Sequence, residues 1–240
     1  MKIFVVSLTR SIDRRERMSK KLAAEGVEFE FFDAIDGSQE NFPHSDKAVP
    51  KITQARKGYH LKTSEVACFA SHYELWKRCV ELNEPIMILE DNVDPVSNLS
   101  QVLIDAFAQV PHYGYIKLSA TQKRAFQPIV PLSDEYQLGG YAAGTCGTTA
   151  YMISPAAAQK FIQHASTFVE PVDDYMEKPW RHHVQTYSIA PDLFTRAQIA
   201  STIGAKRKDK SKMTVLNKIY AELFRSYESI LKFMYWKNKA

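Results

Sequence analysis

The stretch from Pro85 to Asn92, Pro-Ile-Met-Ile-Leu-Glu-Asp-Asn, constrains the fold more than any other. A run of apolar residues that stops abruptly at two carboxylates and an amide is the signature of a buried strand. Its polar side chains then sit at the strand's C-terminal end, where open α/β sheets place their ligands. Adjacent acids at such a place need positive charge beside them, and a divalent cation chelated by a diphosphate would supply it.

The remaining segments fit one α/β domain with a mostly parallel sheet. Lys2–Leu8 reads as a short buried strand. Ser11 stands as the N-cap of a helix running to about Glu25, with Met18 and Leu22 on one face and Gly26 at the stop. Val27–Asp33 is a second strand, so the first 35 or so residues form a βαβ unit with a parallel pair. Residues 38–62 carry Pro43, Pro50 and Gly58 and read as a loop. Ser64 is the expected cap of the next helix, whose core stripe is Val66, Phe69, Tyr73, Trp76 and Val80. Gln101–Gln109 is a helix, Tyr113–Ser119 a strand, and residues 120–140 a long surface loop. Small residues from Gly144 to Thr149 lead into a strand at Ala150–Ile153. Ser154-Pro155 then opens a helix to about His164. Val184–Ile189 is the last strand, giving about six strands alternating with helices.

Charge separates a body from a tail. Residues 206–240 hold 10 Lys/Arg against three acids, Asp209, Glu222 and Glu228; the other residues hold 21 basic and 24 acidic side chains. The reading is therefore a catalytic domain over 1–204 and a basic amphipathic helical tail over 205–240. Within the tail Leu216, Tyr220, Leu223, Tyr227, Ile230 and Met234 recur at helical spacing, followed by Tyr235 and Trp236. Such a segment suits peripheral contact with an anionic membrane, or packing on the domain or a second copy. Basic residues confined to one segment argue against nucleic-acid binding. Cys68, Cys79 and Cys146 form no CxxC pair, which points to a reducing compartment. No secretory leader is evident, and no run of about 18 apolar residues exists to span a bilayer.

Motifs narrow the chemistry. No GxGxxG, GxxxxGK[ST] or GxSxG occurs, which argues against Rossmann dehydrogenases, P-loop enzymes and α/β-hydrolases. Asp173-Asp174 is a second acid pair, and with Glu90-Asp91 and the nearby Asp94 it can face one cleft: a metal-anchoring acid on one side, a general base on the other. One member of His182-His183 is a further candidate metal ligand.

Four stretches carry a resemblance to glycosyltransferase family 25, the lipooligosaccharide-biosynthesis glycosyltransferases. They are Val6–Arg15, Phe31–Gly37, Ser64–His72 with Trp76, and Ile88–Val93; Gly144–Ser154 and Pro171–Asp174 match more weakly. The resemblance implies a GT-A type fold, a UDP-sugar donor (commonly UDP-galactose), Mn²⁺ or Mg²⁺, and inversion at the anomeric carbon. It places Ser7, Arg10, Arg14, Ala34, Asp36, Gly37, Glu65, His72 and Glu90 at the donor, and Asp91, Asn92 and Asp94 at the metal. Asp174 becomes the leading general base and Asp173 the second. The implied acceptor is a lipooligosaccharide or lipopolysaccharide core, at the cytoplasmic face of a bacterial inner membrane. Two departures stand out: Asn92 where the family usually has Asp, which weakens the case for the metal, and Ser64 and Ala67 where it has glycines. Asn92 keeps open a non-catalytic nucleotide-sugar or carbohydrate-binding module. A metal-dependent phospho- or nucleotidyltransferase is the enzyme alternative.

Overall fold

A computed structural model describes residues 1–199 and 213–237. In chain order the elements are β1 (Lys2–Ser7), α1 (Ile12–Ala24), β2 (Glu30–Asp33), α2 (Pro50–Lys57), α3 (Thr63–Leu82), β3 (Ile86–Glu90), β4 (Val93–Pro95), α4 (Leu99–Tyr113) and β5 (Tyr115–Lys117). After them come β6 (Phe126–Pro131), β7 (Gln137–Tyr141), β8 (Ala150–Ile153), α5 (Pro155–His164), α6 (Val172–Met176), α7 (Pro179–His182), β9 (Tyr187–Ala190), β10 (Phe194–Arg196) and α8 (Val215–Lys237).

Eight strands form one sheet in the order β2-β1-β3-β8-β5-β9-β7-β6. Pairings make β2, β1, β3, β5, β9 and β6 run one way, with β8 and β7 against them. The sheet is thus mixed and mostly parallel, as the alternation of strands and helices predicts. β4 and β10 form a separate antiparallel ribbon.

Successive strand residues point to opposite faces, and two cores result. Phe4, Ile86, Ile88, Tyr151 and Ile153 pack beneath α3, α5 and α6. Ile3, Val5, Met87, Leu89 and Met152 pack beneath α1 and α4. Both faces of β3 are covered, which is why its apolar run is continuous rather than alternating.

Three sequence expectations are revised. α2 lies inside the span read as a loop; Pro50 occupies its first turn and Gly58 its left-handed C-cap, so the supposed breakers are its two ends. Residues 120–140 contain the β6–β7 hairpin. α3 starts at Thr63, ahead of the expected cap Ser64, because the Glu65 carboxylate accepts a 3.0 Å hydrogen bond from the Lys62 backbone N–H. Ser154 does cap α5, its hydroxyl accepting from the Ala157 N–H at 3.3 Å. The basic run Lys206–Lys212 lies outside the described residues.

Candidate active site

Parallel β1, β2 and β3 end at Ser7, Asp33 and Glu90, and a cleft of about 460 Å³ opens across these ends. β8 runs the other way, so its N-terminal approach, Thr148-Thr149, arrives beside the C-terminus of β3. The Glu90 backbone N–H donates to the Thr149 carbonyl at 2.9 Å. Residues of α3 and of the start of α6 line it as well.

Ser7, Arg10, Arg14, Ala34, Asp36, Gly37, Glu65, His72, Glu90, Asp91, Asn92 and Asp173 all line this single cleft. Their individual states differ. The Asp91 carboxylate accepts from the Ser7 hydroxyl at 2.7 Å through one oxygen, and from Arg14 at 2.7 Å through the other. Its charge is therefore already matched by a guanidinium. Asp36 accepts from the Ser38 N–H at 2.9 Å and is ion-paired to Arg10. Arg15, the neighbour of Arg14, turns away to the Ser7 carbonyl (2.8 Å) and Asp33.

Beside the buried Asp91, Glu90 is half-buried. Burial pushes its carboxyl up from the usual range, opposed by hydrogen bonds from Thr148 and from the Asn92 amide N–H (3.2 Å) and by the charge of Arg196; Asp173 adds a further upward push. Asn92 spends its NH₂ on Glu90, and its Oδ1 is buried with no hydrogen-bond partner among the described residues. An orphaned amide oxygen beside a carboxylate is a fitting receptor for a hard divalent ion.

His72 is wholly buried and its pKa is pushed down to about 4 by desolvation, so the ring is neutral. Trp76 Nε1–H can only donate, and it reaches the Tyr151 hydroxyl oxygen at 3.0 Å. That hydroxyl then gives its own proton to His72 Nδ1 at 2.8 Å. The network leaves the imidazole proton on Nε2, which stands 4.0 Å from Glu90 Oε1 without a hydrogen-bond partner among the described residues. Cys68, His72 and Glu90 do bring possible ligand atoms within 4.8 Å of one another. In the tautomer this network favours, the cluster is a hydrogen-bond donor facing an acid; ligation by Nε2 would require the proton on Nδ1, where the Tyr151 oxygen would accept it.

Two predicted residues fall outside the cleft. Asp94, expected at the metal, lies on β4 and is bound by Arg17 and by Lys21 (3.4 Å) of α1. Asp174 does not line the cleft, whereas Asp173 does; the pair occupies consecutive positions in the first turn of α6 and so faces different directions. His182 is also no ligand. Its two nitrogens bond the Tyr175 carbonyl and the Val184 N–H, each at 3.2 Å.

Other wall residues had no local signal in the sequence. Arg196 reaches the cleft through the β10–β4 ribbon, and Thr148 through the reversed β8. Gly144–Thr149 is held from behind by Lys117, whose buried ammonium donates to the Cys146 carbonyl and to Glu177, both at 2.6 Å. A lysine in the short strand β5 is the one hint of this clamp.

The model of glycosyltransferase family 25 (LPS biosynthesis protein) matches residues 1–176. The chain is 30% identical over 178 residues to the lipooligosaccharide biosynthesis protein lic2B of Haemophilus influenzae, covering 67% of this chain and 62% of that protein. It is 26% identical over 194 residues to human procollagen galactosyltransferase 2, covering 75% of this chain and 30% of that protein. The chain thus spans less than two thirds of either relative. Among solved structures, a glycosyltransferase involved in glycosylation of the major capsid of PBCV-1 superposes with a TM-score of 0.40 at 11% identity, covering 94% of this chain and 98% of that one.

Proposed function

The chain belongs to glycosyltransferase family 25, and on that premise we propose that it transfers a hexose from a UDP-sugar to a saccharide acceptor with inversion. The observation that carries the reading is the shared cleft: the carboxylates at the end of β3, Asp173, and the guanidinium groups of Arg10, Arg14 and Arg196 all line it. Relatives named as galactosyltransferases and as a lipooligosaccharide biosynthesis protein favour galactose and a lipooligosaccharide core.

Arg196 and Arg14 bind the diphosphate, because guanidinium forks match phosphate oxygens in the way they match carboxylates. Asp36 accepts from a ribose hydroxyl once Arg10 yields. Glu90 and Asn92, with Asp91 beside them in sequence, would hold Mn²⁺ or Mg²⁺, which would neutralise charge on the leaving diphosphate. His72 Nε2–H donates to Glu90 or to a donor oxygen brought between them. Asp173 accepts the proton of the acceptor hydroxyl. That oxygen forms the new bond to the anomeric carbon while the sugar–phosphate bond breaks and its electron pair leaves with UDP. A single displacement from the opposite face inverts the anomeric centre and needs no covalent enzyme intermediate.

The test is a panel of UDP-sugars with truncated lipooligosaccharide acceptors, read by product mass, with and without Mn²⁺. One donor is expected to yield a product heavier by one hexose. Neither transfer nor hydrolysis of any UDP-sugar would reduce the protein to a binding module.

A further inference from the structure

Helix α8 docks by one face and leaves a longer apolar stripe uncovered. Toward the body it directs Ala221, Phe224 and Glu228. The Glu228 carboxylate receives Arg181 Nε at 2.8 Å, Trp180 Nε1 at 3.0 Å and Lys178 Nζ at 3.3 Å. The Phe224 ring lies 4.8 Å from the Arg56 guanidinium of α2. Its apolar stripe, Leu216, Tyr220, Leu223, Tyr227, Ile230 and Met234, is 49 to 78% exposed, with Tyr227 at its inner edge, 5.5 Å from the Arg181 guanidinium. Three such heptads of bare aliphatic and aromatic surface mark an interaction site, since scattered apolar residues would not align.

Charge decides the occupant. The segment 206–240 holds 10 Lys/Arg and three acids, and Glu228, one of the three, is consumed by the docking contacts. A second copy would bring this positive segment against itself. Anionic phospholipid headgroups would meet it with opposite charge. Phe233 and Trp236 at the C-terminal end are exposed, and such rings favour the headgroup–acyl boundary. No helix among the described residues is long and apolar enough to cross a membrane.

We propose that the outer stripe of α8 is a membrane-docking surface that lies flat in the interface of an anionic phospholipid bilayer. The helix brings the active cleft with it: Lys232 and Trp236 wall a small recess together with Gly144, Thr145 and Glu177, beside the segment that enters the cleft. The proposal stands whether or not the protein transfers sugars.

The intact chain is sedimented with vesicles of phosphatidylglycerol and phosphatidylethanolamine, and separately with phosphatidylcholine vesicles. Retention on the anionic vesicles alone is expected, weakening as salt rises. The double variant Leu223→Glu/Ile230→Glu should bind about tenfold less while melting at the wild-type temperature, since both positions are exposed. Absence of binding to anionic vesicles overturns the proposal, as does undiminished binding by the double variant. Concentration-dependent dimers by light scattering, abolished by the same substitutions and without vesicle binding, would also overturn it and assign the stripe to self-association.

Discussion

The Tyr151 hydroxyl lies 2.8 Å from His72 Nδ1, and this contact determines where the imidazole keeps its proton. Tyr151 already accepts from Trp76, and giving its own proton to His72 Nδ1 satisfies all three groups. Tyr151→Phe removes that donor and leaves the Trp76 N–H and His72 Nδ1 buried without partners. Unfolding free energy should fall by about 1–3 kcal/mol. Nitrogen NMR of the imidazole should show a single Nε2–H tautomer in the wild type and a mixture in the variant. An unchanged tautomer would mean that the Tyr151 hydroxyl does not set it.

Arg14 and Asp91 form an ion pair at 2.7 Å, with side chains only 18% and 12% exposed. Arg14→Met strands a carboxylate that retains just the Ser7 hydroxyl. A loss of about 2–3 kcal/mol is expected, below the range for fully buried pairs because some solvent reaches this one. Added Mn²⁺ should restore part of the lost melting temperature in the variant and less in the wild type. Equal Mn²⁺ response in both proteins would show that Arg14 is not the counter-charge to Asp91.

Asp173 and Asp174 are adjacent in sequence, and only the first lines the cleft. Asp173→Asn should lower kcat by about 100-fold or more, the scale of losing a general base, with donor binding retained. Asp174→Asn should cost far less. The reverse order would return the base role to Asp174, the residue that the family resemblance favours.

How much of this was legible in the sequence differs from element to element. β1, β3 and β8 are buried on both faces, so their apolar runs stand out and the cleft at their ends follows. The hairpin β6–β7 does not stand out, because β6 is an edge strand with Pro128 and Pro131 and little buried surface. Arg196, Thr148 and Tyr151 come to the site by pairings between distant segments, β10 with β4 and β8 with β3, which leave no local pattern. The α8 stripe was visible as spacing. Its outward direction was not, because the docked face carries apolar residues too, Ala221, Phe224 and Leu231, beside the acid Glu228.

His182 gives the protein an acid-sensitive core. Its pKa is lowered to about 3, chiefly by burial, against 6.5 for the unfolded chain. Below pH 6.5 the unfolded state takes up a proton that the native state refuses, so stability falls as pH drops and continues falling toward the folded value. From this group alone about 2 kcal/mol should be lost between pH 7 and pH 5. Urea midpoints across that window measure it. His182→Gln, whatever its own stability, should show a flatter profile; a slope equal to wild type would assign the acid sensitivity to other groups.

Gly37 is where the chain after β2 passes closest to α3. A Cβ there would lie 2.6 Å from the Thr63 carbonyl oxygen and 2.8 Å from its carbon, and both are backbone atoms that no rotamer change can move. Gly37→Ala must therefore separate the loop from the start of α3, at a cost of about 1–3 kcal/mol for forced overpacking. The separation acts on the part of the cleft that carries Asp36, whose Ser38 contact lies in this loop and whose partner Arg10 reaches it from the turn between β1 and α1. On the proposed roles, the UDP-sugar KM should rise several-fold while Asp173 and the far wall stay in place, so kcat should change less than KM. Steady-state kinetics with the donor varied separates the two. A fall confined to kcat would mean that the Asp36 wall does not contact the donor.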